Sequence, residues 1–217
     1  MTTVIFNVGF SSEYIIKAIT FRGVKNISSV ILVTGTSKDE FSKKRNEDAI
    51  TSILSYLKIV GVEDVKVLRV DLDTTFDDVL LQISAELGKF DDDIEFYLIG
   101  GMRVLLLALY YIAQILSIVK KVKVIAFDEN MQNSYQLPLT VPKIPKTSSQ
   151  IELLKLLTKR HKISEMSEKL KKSASTISRQ LDSLGELIEC RKEGKNKECE
   201  ASKIGRVILN LIQGSGP

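Results

Sequence analysis

Two hydrophobic patterns alternate along the N-terminal part of the chain. Short, almost continuous apolar runs rich in β-branched residues are typical of strands that are buried on both faces of a sheet. Longer segments with helical spacing separate them, and this alternation predicts a mainly parallel sheet flanked by helices. Ser37 and Glu40 have the spacing of a capping box at the start of the second helix. The predicted strands are residues 2–8, 29–34, 65–70, 94–99 and 122–127, with an edge strand at 134–139, and the predicted helices are 12–21, 39–60, 76–87 and 102–119.

A proline-rich segment interrupts this alternation. Three of the four prolines of the chain lie within residues 138–145, and proline continues neither a helix nor a central strand. We therefore predict a first domain of class α/β, a Rossmann-like parallel-sheet domain, over residues 1–142. A linker over 143–149 and a second domain over 150–217 follow it.

The second domain has the pattern of three short helices, a hairpin and a closing helix. Polar residues 171–173 separate the second and third helices at the spacing of a helix-turn-helix, and Gly194 lies where a type II′ hairpin turn requires glycine. This order predicts a winged helix-turn-helix, with a helical packing or dimerisation module as the alternative. The third helix and the hairpin present short donors and cations that suit phosphates and base edges. The expected DNA-binding residues are Ser175, Thr176, Ser178, Arg179, Gln180, Arg191, Lys192, Lys195, Asn196 and Lys197.

The distribution of charge favours a nucleic-acid partner for the second domain. Residues 147–217 contain 14 Lys and Arg against 9 Asp and Glu, whereas residues 1–146 contain 17 against 18. Because the positive charge is confined to the last third of the chain, we expect a polyanion to bind there and not along the whole protein. Double-stranded DNA is the predicted partner.

The composition excludes several other classes of protein. With 44% hydrophobic and 27% charged residues, the chain is not predominantly disordered. No secretory signal opens it, and its longest apolar run, residues 104–119, is shorter than the roughly 20 residues that span a bilayer. We expect a cytoplasmic protein without membrane contact, in which residues 104–119 form a helix buried on most sides.

The chain contains few residues for metal or nucleophilic chemistry. A structural zinc site normally uses four Cys or His ligands, and this chain has one histidine and two cysteines. His161 lies in a basic, surface-like stretch, so we predict no catalytic residue, no metal, no cofactor and no enzymatic activity. With Gly194 and Lys195 at the centre of the turn, Cys190 would face Cys199 across the hairpin. We expect two free thiols, with a disulfide as the alternative.

Small polar residues follow three of the predicted strands. Ligands of parallel α/β sheets bind beyond the carboxyl ends of the strands, and glycine there lets a ligand approach the backbone. The helix start after Gly101 supplies free N–H groups and a partial positive charge, and Arg103 adds a bidentate donor. Neither the dinucleotide nor the triphosphate fingerprint occurs, so we predict an anionic ligand of another kind. Its expected contacts are Asn7, Gly9, Phe10, Ser11, Ser12, Thr34, Gly35, Thr36, Gly100, Gly101, Met102 and Arg103.

Together, the two domains resemble archaeal CRISPR-associated transcription regulators of type I-A systems. In that family, a CRISPR-associated Rossmann-like fold (CARF) domain precedes a winged helix-turn-helix. Residues 7–12 and 99–103 carry the resemblance, since they occupy the two regions where CARF domains hold their ligand. The resemblance extends over nearly the whole chain. It implies a homodimer with a two-fold pocket for a cyclic oligoadenylate, cyclic tetra-adenylate being the expected ring. The implied DNA targets are CRISPR leaders and cas promoters.

The resemblance leaves two alternative functions open. Some CARF proteins cleave their ring ligand, which would make this chain a ring nuclease attached to a DNA-binding module. A regulator that senses another nucleotide metabolite is the second alternative. The resemblance also bears on the two cysteines, because intracellular proteins of hyperthermophilic archaea often contain disulfides.

Overall fold

A computed structural model describes residues 1–36, 39–87, 92–140, 145, 147–193 and 196–213, except for the side chains of residues 193, 196 and 211–213. The chain divides into two units, Met1–Thr140 and Val141–Pro217. This division falls two residues before the predicted end of the first domain at 142. None of the helices within the described ranges has the length and the apolar character needed to cross a membrane.

The first unit alternates strands and helices in the order that the hydrophobic pattern predicts. Its last strand is antiparallel to its neighbour and lies at an edge of the sheet. The elements are β1 (Thr2–Asn7), α1 (Ser12–Arg22), β2 (Ile27–Gly35), α2 (Glu40–Ile59), β3 (Val65–Val70), α3 (Phe76–Leu87), β4 (Asp93–Leu98), α4 (Arg103–Leu116), β5 (Val122–Phe127) and β6 (Ser134–Gln136).

Five parallel strands and the antiparallel β6 form one sheet in the order β3-β2-β1-β4-β5-β6. This arrangement confirms the α/β class with a mostly parallel, Rossmann-like sheet. The chain runs outward from β1 through β2 to β3 and then returns to place β4 beside β1. The pair β1 and β4 therefore marks the switch point, where a crevice opens beyond the carboxyl ends of the strands.

Helices cover both faces of this sheet. Side chains alternate along β1, so that Val4 and Phe6 pack with α1 and α2, while Ile5 packs with α3 and α4. All three side chains are almost completely buried. Because both faces of the strand are covered, the apolar residues Val4, Ile5 and Phe6 of β1 are consecutive and do not alternate with polar ones.

The start of α2 differs from its prediction. Asp39 is the N-cap, and its carboxylate accepts the backbone N–H of Ser42 at 2.7 Å. The hydroxyl and the N–H of Ser42 lower the pKa of Asp39 below its ordinary value. The predicted capping box of Ser37 with Glu40 is therefore wrong, because aspartate is as good an N-cap as serine and directly precedes the helix. Ser37 itself lies outside the described residues.

The second unit packs helices against a three-stranded antiparallel sheet in the order β7-β9-β8. Its core includes Leu153, Met166, Ile177, Leu181 and Cys199, which are buried almost completely. The elements are α5 (Ser148–Leu156), β7 (His161–Lys162), α6 (Ile163–Leu170), α7 (Ala174–Leu184), a 3-10 turn (Gly185–Leu187), β8 (Ile188–Glu193), β9 (Asn196–Ala201) and α8 (Lys203–Gln213).

Helix α5 begins inside the segment predicted as a linker, residues 143–149. Thr147 and Gln150 form a capping box, in which each side-chain oxygen accepts the backbone N–H of the other residue at 3.2 Å. The capping box fixes the first turn of α5, so helical structure begins within the predicted linker.

The hairpin contains a disulfide between Cys190 and Cys199. The register pairs these residues directly, as the sequence predicts, while the predicted turn residues Gly194 and Lys195 lie outside the described part of the chain. The expectation of free thiols is wrong. The Cα atoms lie 4.1 Å apart, the short spacing of a non-hydrogen-bonded pair, in which the side chains approach more closely than in a hydrogen-bonded pair.

Candidate functional site

A cleft of about 470 Å³ opens at the switch point, beyond the carboxyl ends of β1 and β4. Its walls come from the loop that follows each of these strands, from the first turn of α1 and from one face of α2. The lining residues are Asn7, Val8, Gly9, Phe10, Ser11, Tyr14, Ile15, Arg45, Asn46, Ile99, Gly100, Gly101, Met102 and Glu129.

Backbone contact between two glycines forms the floor of the cleft. A Cβ atom on Gly9 would lie 2.9 Å from the Cα of Gly101, closer than real Cβ contacts allow. Gly101 also has a φ of +93°, a conformation that side chains with a Cβ rarely adopt. Both positions therefore require glycine so that the β1–α1 loop and the β4–α4 loop can touch.

Asn7, at the end of β1, connects the same two loops from the buried side of the cleft. Its side chain is 1% exposed, and its Oδ1 accepts the backbone N–H of Ile99 at 2.8 Å. Its Nδ2 has no hydrogen-bond partner in the described part of the chain. This nitrogen lies next to Gly101, since a Cβ atom on Gly101 would be 3.3 Å from it. A buried donor without an acceptor costs about 1–3 kcal/mol.

Two helices begin at the cleft without side-chain caps. Ser11 is the N-cap of α1 and Met102 is the N-cap of α4, and neither side chain accepts a hydrogen bond from its helix. Both residues line the cleft. The first N–H groups of a helix lack partners within the helix and carry a partial positive charge. The cleft therefore offers two sets of backbone donors to an anion.

A network of hydrogen bonds joins α2 to the β1–α1 loop. Nδ2 of Asn46 donates to Oγ1 of Thr34 at 2.8 Å and to the carbonyl oxygen of Gly9 at 3.2 Å. Thr34 in turn lies within 3.4 Å of the carbonyl oxygen of Val8. Both polar side chains are buried, so their role is to position the loop that carries Gly9 and Phe10.

A smaller cleft of about 90 Å³ lies beside the first, at the end of β2. Thr34, Gly35 and Thr36 line it together with residues of α2. A Cβ atom on Gly35 would lie 2.5 Å from side-chain atoms of both Leu72 and Met102. The packing of Leu72 and Met102 therefore favours glycine at position 35, where the sequence suggests a ligand contact.

Eleven of the twelve predicted ligand contacts line one of three clefts, and Arg103 lines none of them. Those at the ends of β1 and β4 share the main cleft, and those after β2 line the smaller one. Ser12 lines a shallow groove between α1 and α2. Arg103 is exposed at the start of α4 and is not among the lining residues of the described clefts. The main cleft thus contains Asn7, Gly9, Phe10, Ser11, Gly100, Gly101 and Met102 of the predicted set.

Sequence reasoning misses the contribution of α2 and of the turn after β5. Arg45 and Glu129 are the charged residues among the described lining of the main cleft, and Asn46 and Tyr14 add polar atoms. Arg45 lies on a polar face of a long amphipathic helix, where charged residues are common on solvated surfaces. Its place in the cleft depends on how α2 packs beside the β1–α1 loop, for which the sequence contains no local signal.

In the second unit, the residues predicted on α7 have different surroundings. Ser175 and Arg179 are exposed, while Thr176 contacts the N-cap residue Ser173 through its hydroxyl. The amide nitrogen of Gln180 donates to the hydroxyl of Ser149 on α5. Gln180 therefore connects two helices of this unit, in addition to any contact that it makes outside the chain.

The residues predicted on the hairpin are only partly described. Arg191 and Lys192 are exposed on β8. Lys197 on β9 lies 4.0 Å from a carboxylate oxygen of Asp182. Lys195 and the side chain of Asn196 lie outside the described residues, and Ser178 is half-buried on α7.

A doubly wound parallel sheet with a cleft at its switch point defines a Rossmann-like α/β domain. The chain belongs to the family described as the Csa3 CRISPR-associated Rossmann-like domain, whose model matches residues 2–138. This match confirms the CRISPR-associated Rossmann-like part of the predicted resemblance.

Similarity to a solved structure is confined to part of this chain. A possible transcriptional regulatory protein (fragment 1–100) from Mycobacterium bovis is similar over 32% of this chain and 78% of its own, at 19% identity and a TM-score of 0.30. No curated protein matches the chain.

Proposed function

We propose that this protein is a ligand-responsive transcription regulator of CRISPR arrays and cas genes. Its first unit senses a cyclic oligoadenylate, namely cyclic tetra-adenylate. Its second unit binds promoter DNA as a winged helix-turn-helix. The protein acts as a cytoplasmic homodimer. The observation that carries the proposal is a single cleft, in a CRISPR-associated Rossmann-like domain, where two uncapped helix N-termini meet.

The chemistry of the cleft supports an anionic ring with repeated phosphates. The N–H groups at the starts of α1 and α4 suit phosphate oxygens, and neither needs a metal or a cofactor to do so. A cleft of about 470 Å³ matches a ligand of ordinary drug size. A ring of four nucleotides is larger, so each protomer would hold half of it across a two-fold axis.

The outward face of α4 supports the homodimer. Val104, Leu107, Tyr111 and Ile115 are spaced to lie on one side of this helix, and each is between 46% and 63% exposed. The opposite side, with Leu105, packs on the sheet, so α4 is less buried within one chain than its sequence suggests. A continuous apolar stripe of this kind is typical of a protein interface. It begins at the cleft.

The order of elements in the second unit supports DNA binding. Helices α6 and α7 are joined by three residues, and the β8–β9 hairpin follows α7. Ser175 and Arg179 are exposed on α7, and Arg191 and Lys192 are exposed on the hairpin. In a winged helix-turn-helix, these elements would contact the major groove and the adjacent phosphates.

A gel-shift titration tests the proposal on CRISPR leader and cas promoter duplexes, with and without cyclic tetra-adenylate. We expect a specific complex whose affinity changes when the ring is added, and no change with linear tetra-adenylate. A shuffled duplex of the same composition is the control for nonspecific binding. Equal affinity for promoter and shuffled DNA, or indifference to the ring, would contradict the proposal.

Two further measurements separate this function from its alternatives. We expect labelled cyclic tetra-adenylate to be recovered intact after incubation, because the proposed role is sensing, whereas a linear product would identify a ring nuclease. In a thermal-shift comparison, the ring should stabilise the protein more than mononucleotides do. A ligand at a hundred times its dissociation constant adds about 2.7 kcal/mol, so the stronger stabiliser identifies the class of ligand.

A further inference from the structure

Arg45 on α2 is the positively charged side chain among the described lining of the main cleft. Its guanidinium carbon lies 5.0 Å from the centre of the Phe10 ring and 5.8 Å from the centre of the Phe41 ring. Such contacts between a guanidinium and an aromatic face are attractive and reduce the number of orientations that the arginine adopts. Two aromatic rings therefore hold Arg45 beside the loop that follows β1.

These ring contacts leave the donors of Arg45 available. An aromatic ring supplies no carboxylate or carbonyl oxygen, so the contacts with Phe10 and Phe41 do not pair the five N–H groups of the guanidinium with an oxygen acceptor. Arg22 and Arg69 each pair with a glutamate. Across the described ranges of the chain, by contrast, Arg45 has no carboxylate partner. A fixed guanidinium with unpaired donors is suited to bidentate binding of a phosphate.

The two arginines near the cleft differ in this respect. Arg103 follows the glycines of the β4–α4 loop, but it is exposed and lies outside the described lining. Arg45 comes from a helix outside the glycine-containing loops, yet it lines the cleft next to Phe10. Position in the sequence favours Arg103 as the phosphate ligand, whereas the geometry favours Arg45.

We propose that Arg45 binds a phosphate group of the anionic ligand through its in-plane N–H groups while Phe10 holds the guanidinium in place. This role rests on the proposed function, because it assumes that the cleft takes a phosphate-containing ligand. Arg45 is then a binding residue on α2 that acts together with the helix N-termini of α1 and α4.

Calorimetric titration of the full chain with two probes, cyclic tetra-adenylate and inorganic pyrophosphate, tests this role. Arg45→Ala should lower the affinity for the ring by about tenfold or more, the loss expected for a hydrogen bond to a charged group. Arg45→Lys should recover only part of the affinity, because lysine keeps the charge but lacks the planar fork. Both variants should lower the Tm only slightly, since Arg45 is exposed and its removal costs the fold no more than the contacts with the two rings.

Lys44→Ala is the matched control. Lys44 neighbours Arg45 on α2, is exposed and does not line the described clefts. Its removal changes the net charge equally, so it reports the effect of long-range electrostatics alone. We expect a loss of less than about threefold for Lys44→Ala at physiological salt, by the small energy of exposed charges.

The two probes separate this inference from the proposed function. If the wild type binds pyrophosphate through Arg45 but does not bind the ring, the ring-sensing function is wrong and the phosphate role of Arg45 stands. If the wild type binds the ring and Arg45→Ala loses no more affinity than Lys44→Ala, the role of Arg45 is wrong and the function stands. Failure of both probes to bind the wild type would overturn both.

Discussion

Replacement of Asn46 by alanine should lower the free energy of unfolding of the first unit by about 1–3 kcal/mol. The buried Asn46 side chain donates two hydrogen bonds, to Thr34 and to the carbonyl oxygen of Gly9. Each such bond contributes about 0.5–1.5 kcal/mol net, and a buried acceptor that loses its donor adds to the cost. The sum over the two bonds gives the expected range.

Tyrosine fluorescence reports this unit separately from the second one. The chain has no tryptophan, and its six tyrosines all lie within residues 1–140. Urea unfolding of the full chain, followed by this signal, therefore measures the transition of the first unit. The matched variant Thr34→Val removes the acceptor at 2.8 Å but keeps the bond from Asn46 to Gly9.

A double-mutant cycle isolates the shared bond. Because both variants break the bond between Asn46 and Thr34, the double variant should lose less than the sum of the single losses, by about 0.5–1.5 kcal/mol. Additive losses, or an Asn46→Ala cost below about 0.5 kcal/mol, would refute the network. Since Gly9 belongs to the loop that lines the cleft, ligand affinity should also fall, while DNA binding without ligand should not change.

Three predictions concern the second unit. Thiol titration of the unfolded, unreduced protein should find no reactive sulfur, because Cys190 and Cys199 are bonded, and two reactive sulfurs would contradict the hairpin described above. Gly205→Ala should destabilise this unit by at least about 1–3 kcal/mol, because its Cβ atom would lie 2.1 Å from the carbonyl oxygen of Leu187. Urea unfolding followed by far-UV circular dichroism checks this, and the exposed Asn210→Ala on the same helix should cost nothing. In DNA-binding titrations with several operator sequences, Arg179→Ala should alter sequence preference. Unchanged preference would exclude α7 as the recognition helix.

The central strands β1, β2 and β4 of the first unit were predictable because most of their side chains are buried. A strand such as β1 contributes side chains to two cores, so its central apolar residues are consecutive and lack the helical spacing of the segments around it. The end of α4 shows the limit of this signal. The helix ends at Leu116, although Ile118 and Val119 beyond it are apolar; both are more than 70% exposed. A hydrophobic residue favours burial, but its sequence does not show whether residues of the same chain or of another molecule bury it.

Short elements and tertiary contacts were beyond the reach of the sequence. β7 has only two residues, His161 and Lys162, and forms because β9 offers it a free edge. Gln180 has the spacing of a DNA-contacting residue on α7, but it also donates a hydrogen bond to Ser149 on α5. The sequence of α7 alone does not predict this contact. Periodicity describes which face of an element is apolar, and the polar contacts between elements depend on the arrangement of the whole unit.

The residues that reveal the cleft in the sequence differ from those that supply its charged chemistry. Gly9 and Gly101 are glycines because their backbones touch, and Asn7 spans the same two loops through Ile99. These residues position the helix N-termini, so a motif made of them locates the proposed anion site without describing its side-chain contacts. Backbone contact does not fix the residue type at position 45, because Arg45 reaches Phe10 through its side chain. Chains that share the loop motif can therefore differ on α2. Specificity among phosphate ligands is then expected to vary with the residue at position 45, while the position of the cleft stays the same.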